Sequence, residues 1–110
     1  MNTTRIVEHT ETFEDLKEQV LVWSKNKGIL DNSDLKTQTL KMVSEVGEAC
    51  DNVARMDLDA LEDDLGDILV TLINVAEFAG KDLNQCLFDA LGVITKRTGK
   101  MVDGTFVKDV

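Results

Sequence analysis

Residues 44–48 read S-E-V-G-E and residues 64–67 read D-L-G-D, each setting two carboxylates three positions apart with a glycine before the second. Between Ser44 and Asp67 nine acids stand against one base, Arg55, a local charge of −8 within a formal net charge of −9. On a helix, acids three apart share a face. Carboxylates gathered beside a core repel one another and are costly to keep ionised without a cation. Hard oxygen ligands in that number favour Mg²⁺, or Mn²⁺, over zinc, and magnesium usually shares its coordination with substrate phosphates. The block therefore points to phosphate chemistry. The competing reading is a solvated acidic face on a non-catalytic helical module that serves dimerisation or interaction. A calcium loop is excluded, because D-L-D-A-L-E lacks the loop glycine and the spaced oxygen ligands.

Positioning such groups calls for helices, and the chain reads as all-α. Thr12 caps a first helix with Asp15 completing the box, its apolar stripe runs Phe13, Leu16, Val20 and Trp23, and Gly28 ends it. A polar link D-N-S-D leads to a second helix, about Leu35 to Met56. Its broad apolar side holds Leu40, Val43, Val46, Gly47, Cys50, Val53 and Ala54, flanked by Lys41, Glu45, Glu48 and Asn52. A third helix, about Leu58 to Ala79, is apolar around most of its girth, with Asp64, Asp67, Thr71 and Asn74 as its polar stripe. The short turn near Asp57 makes these two helices antiparallel, so that both acid stripes can face one cleft. A fourth helix, about Leu83 to Thr98, buries Leu87, Leu91 and Ile94 and stops at Gly99. The tail M-V-D-G-T-F-V forms an Asp-Gly hairpin or an extended arm.

The 110 residues are read as one domain, 1–110, with 43% hydrophobic and 30% charged content and no proline. The leading segment has no signal-type apolar region and no run is long enough to span a membrane, which predicts a cytoplasmic protein. Net charge −9 argues against nucleic acid or anionic membranes as partners. Cys50 and Cys86 are expected to be reduced and buried, and His9 to be exposed and incidental.

L-K-M-V-S-E-V-G-E-A followed by L-E-D-D-L-G-D-I-L-V resembles the MazG-like nucleotide pyrophosphohydrolases of the all-α NTP pyrophosphatase superfamily. Their signature is E-E-x-x-E, a spacer, then E-x-x-D on antiparallel helices, and W-S-K-N-K-G-I resembles their first helix end. The resemblance spans roughly residues 13–100 and implies a four-helix bundle-like fold. It also implies Mg²⁺-dependent hydrolysis of nucleoside triphosphates to monophosphate and pyrophosphate, and assembly as a homodimer or tetramer. Glu45, Glu48, Asp64 and Asp67 match the metal-binding acids, with Glu45 the candidate to take a proton from water. Ser44 replaces the family's first glutamate, and Asp64 is one methylene shorter than the usual glutamate.

The triphosphate needs positive charge as well. Lys96, Arg97 and Lys100 in K-R-T-G-K form the candidate phosphate clamp, or else complement a helix C-terminus. Lys41 lies closer to the acids. Trp23 either stacks on a base or packs in a core or dimer contact. Asn52 and Asn74 either bond a base or sugar or satisfy each other.

Overall fold

In the computed structural model, residues 9–110 are described. The leading segment 1–8, expected to carry no signal sequence, lies outside them. The described chain is built from α1 (Phe13–Asn26), α2 (Ile29–Asn32), α3 (Leu35–Ala54), α4 (Leu58–Ala79) and α5 (Leu83–Ile94), followed by β1 (Gly99–Val102) and β2 (Thr105–Lys108). The all-α reading therefore holds, and the tail is the hairpin rather than an arm. The chain forms two compact units, one ending at Gly80 and one comprising Lys81–Val110. No helix of the described residues is long and apolar enough to cross a membrane.

Local chemistry sets the helix ends of the first unit. Thr12 accepts from the Asp15 amide while the Asp15 carboxylate accepts from the Thr12 amide, a reciprocal capping box. Gly28 takes a left-handed φ of 83° and turns the chain directly into α2. D-N-S-D is thus not a plain link: its first two residues finish α2, tied back by Lys25 on Asp31 at 2.8 Å. Asp34 caps α3 by accepting from the Thr37 amide at 2.7 Å, and that bond holds its carboxyl below the usual range. Asp57 caps α4 and Gly80, at φ 68°, ends it.

The α3–α4 turn is a Schellman closure. The Asp57 amide donates to the Asn52 carbonyl and the Met56 amide to the Val53 carbonyl, with Met56 in the left-handed region at φ 57°. Glycine is the usual residue there, since a Cβ is strained in that conformation.

The helices are antiparallel as expected, but α3 turns the opposite face inward. Its inner line is Met42, Glu45, Ala49 and Asn52, whereas Leu40 is 64% exposed and Val43, Val46 and Val53 are exposed with it. The fully buried apolar residues among those described are Ala49, Ile73 and Ala76. The Phe13, Leu16 and Trp23 stripe of α1 is also exposed, and Cys50 and Cys86 are free and exposed rather than buried. A hydrophobic arc settles which side of a helix avoids water, but not whether the same chain covers it.

In the second unit α5 ends at Ile94, earlier than expected, and Leu87, Leu91 and Ile94 are exposed rather than buried. Gly99 is not a helix stop but the first strand residue. A Cβ there would collide with the Val107 carbonyl and come within 2.7 Å of the Phe106 ring. The strands pair antiparallel from Gly99 with Lys108 to Val102 with Thr105, around Asp103 and Gly104 at φ 49° and 84°. Two successive positive φ values define a type I′ turn, whose twist matches that of the strands.

Replacing the strained, exposed residue at the α3–α4 turn tests the closure. Met56→Gly is expected to stabilise the fold by about 1 kcal/mol, read as a higher midpoint in urea unfolding at unchanged slope.

Candidate functional site

Helix α3 presents Lys41, Glu45 and Glu48 on successive turns, and α4 presents Asp64, Asp67, Thr71 and Asn74 toward it. Glu45 is 7% exposed and buried in the seam. Its Oε1 lies 3.2 Å from Lys41 Nζ, while Oε2 is sealed from solvent with no hydrogen-bond partner among the described residues. Asp64 is also buried, and its Oδ2 accepts from Asn52 Nδ2 at 2.6 Å. Arg55 in turn donates to Asn52 Oδ1 at 2.9 Å, which fixes the amide's direction. Glu48 and Asp67 are exposed.

The electrostatics follow from that packing. Glu48 is held above the ordinary glutamate range, first by the charge of Glu45. Desolvation, a hydrogen bond to Glu45 that only a protonated Glu48 can donate, and Asp64 add to the rise; Lys41 opposes it. The seam thus has more negative charge than its one nearby lysine balances.

A cleft of about 370 Å³ opens along this seam, lined by Glu45, Asp67, Lys41, Thr71 and Asn74 together with Trp23, Ile29, Thr37, Gln38 and Val70. A second hollow shares Trp23, Asp67 and Val70 and continues toward Leu16 and Val20. Trp23, 47% exposed, stands between the two and is not a core residue. Asn52 and Asn74 do not satisfy each other: Asn52 serves Asp64, and Asn74 accepts from Ser24 Oγ at 2.6 Å. Ser24, Thr37 and Gln38 carried no signal in the sequence, since a lone polar residue on a helix usually faces water.

The structure thus brings Glu45, Asp67, Lys41, Asn74 and Trp23 to one cleft, with Glu48 within electrostatic reach of both Glu45 and Asp64. Lys96 and Arg97 follow α5 and Lys100 lies on β1, all in the second unit. Among the described residues, no three carboxylate, imidazole or thiol groups close into a ready-made metal cage. A divalent cation nevertheless suits this donor set. The orphaned Glu45 Oε2 and the repulsion felt by Glu48 are both relieved by positive charge, and all the donors are hard oxygens.

Comparison with known proteins gives a family. A model described as the MazG nucleotide pyrophosphohydrolase domain matches residues 34–103. An uncharacterised 18.2 kDa protein from the rep-hol intergenic region of Haemophilus phage HP1 (strain HP1c1) is 29% identical over 55 residues, covering 50% of this chain. The match takes in only 34% of that protein's length. No solved structure matches the chain.

Glu48 gives the site a testable pH signature. A raised carboxyl costs nothing below the ordinary value of 4.5, where it is protonated folded and unfolded alike, and destabilises the fold as pH rises through the raised value. In metal-free buffer Glu48→Gln should therefore melt higher than wild type at pH 7, with the gap closing below pH 4.5. Thermal melts across that range check it.

Proposed function

Because the chain belongs to the MazG nucleotide pyrophosphohydrolase family, we propose that it hydrolyses nucleoside or deoxynucleoside triphosphates to the monophosphate and pyrophosphate with Mg²⁺, or Mn²⁺ in its place. The observation that carries this reading is the buried Glu45 carboxylate, whose Oε2 has no partner among the described residues. A buried charged oxygen left bare is expensive unless something positive meets it.

Glu45, Glu48, Asp64 and Asp67 would hold the ion. Bound there, it neutralises phosphate oxygens and lowers the pKa of an attacking water. The chain's own residues do the rest. The Arg55–Asn52 relay aims Asp64, and Glu45 takes the proton as the water oxygen bonds to the α-phosphorus and pyrophosphate leaves. Lys41 holds Glu45 Oε1 at rest and sits on the cleft wall, ready to turn to a phosphate. Trp23 and Asn74 face the nucleoside.

The chain is also proposed to act as a homodimer or tetramer. The arc of α3 from Leu40 to Val53 is apolar, exposed and continuous, while few apolar residues are fully buried, and a self-complementary patch closes with two-fold symmetry. Light scattering at micromolar concentration is expected to give at least twice the 12.2 kDa chain mass. A monomer would remove the assembly.

Pyrophosphate release from a panel of NTPs and dNTPs, with and without Mg²⁺, tests the activity itself. Glu45→Gln should lower turnover about a hundredfold or more while the far-ultraviolet dichroism stays helical, in keeping with the usual size of general-base contributions. No release from any triphosphate would leave the non-catalytic helical module as the better account.

A further inference from the structure

Ser24 and Asn74 are fifty residues apart in sequence, 0% and 2% exposed, and joined by a hydrogen bond of 2.6 Å across α1 and α4. The serine hydroxyl donates to the amide oxygen. That commits Oδ1 and leaves the NH₂ group, which has two donors and no acceptor, as the amide's remaining chemistry. Among the described residues no protein group accepts from it, yet Nδ2 is not one of the atoms sealed away without a partner. Asn74 lines the same cleft as Lys41, Glu45 and Asp67, so its donors open there.

The cleft carries both carboxylates and groups suited to a base. Asp67 and Asn74 are two helical turns apart on α4, about 10 Å along the axis at 1.5 Å per residue. Glu45 and Asp67 line the cleft together with Trp23, Ile29 and Asn74. With phosphates at the acids, a base in the same cleft has Trp23 as an aromatic face and the Asn74 amide as a fixed pair of N–H donors.

We infer that Ser24 is a positioning residue that locks the Asn74 amide with its donors toward the substrate, so that the cleft selects nucleotides whose base offers a keto oxygen over those offering an amino group. This rests on the nucleotide reading above. Uracil and cytosine separate the two cases, since position 4 carries an acceptor oxygen in one and an amino donor in the other. An amino group facing the Asn74 donors would leave both unpaired.

The chain has one tryptophan, and it lines the cleft, so its fluorescence reports occupancy without turnover. dUMP and dCMP are titrated separately in Mg²⁺ buffer into wild type, Ser24→Ala, Ser24→Thr and Asn74→Asp. Wild type should bind dUMP about tenfold tighter or more, the scale of one buried hydrogen bond made or lost. Ser24→Ala should cut the ratio to about twofold by freeing the amide to rotate its oxygen toward the cytosine amino group, chiefly through tighter dCMP binding, and Ser24→Thr, which keeps the hydroxyl, should restore it. Asn74→Asp replaces the donors by an oxygen and should reverse the order. Equal affinities, tighter dCMP, or no binding of either nucleotide to wild type would overturn the inference, as would a ratio that Ser24→Ala leaves intact. Pyrophosphate release from dUTP, measured alongside, keeps the two readings apart. Release without base discrimination sinks this inference alone, and absent release with discrimination sinks the hydrolase alone.

Discussion

A carboxylate buried between two helices is the constraint around which the first unit is arranged. Glu45 occupies the middle of the α3–α4 seam, a place where an ordinary helix pair would put leucine or valine. Charge there demands company. Lys41 supplies part of it from the rim, and the rest of the seam becomes polar in turn: Asp64 with Asn52, Asn74 with Ser24, Thr71 on its own helix carbonyls. Each of these buried groups is held by a named partner, as buried polar atoms must be. Among the described residues the exception is Glu45 Oε2.

Giving the seam to polar groups has a consequence for the apolar ones. Helix α3 has one good hydrophobic arc, and with Glu45 and Ala49 turned inward that arc points outward. The interior is correspondingly small. Site and surface are therefore two results of a single rotation of α3: the turn that brings the acids to α4 also carries Leu40, Val43 and Val53 to the outside. A chain arranged this way gains from a cation at the seam and from cover over the arc, and the two gains arise on opposite faces of one helix.

Much of this was legible from residue types. The bounds of α4 follow from Asp57 and Gly80, because cap chemistry is local and leaves the same mark in sequence and structure. The acid pairs and Lys41 could be placed on facing stripes by helical spacing alone, and the Asp-Gly turn announced the hairpin. Other features had no local mark. Four residues of α2 are too few to show a period. Gly99 reads as a helix terminator until Val107 and Phe106, brought close by the strand pairing, show why no side chain fits. Periodicity gave α3 an apolar side without saying that α4 would pack elsewhere. Ser24 was invisible because its meaning lies entirely in a partner fifty residues away.

The Schellman closure between α3 and α4 also bears on how quickly the chain finds its fold. It joins the two longest helices through a turn of three residues, so their contacts close small loops and cost little chain entropy. Structures dominated by such near-neighbour pairing reach the native state in microseconds to milliseconds, on the order of the helical proteins of low contact order. The sequence has no proline, so no isomerisation of tens of seconds can trail behind. Any slow, concentration-dependent phase in stopped-flow refolding would then belong to chains meeting one another, which makes the kinetics a direct view of what the outward arc of α3 is for.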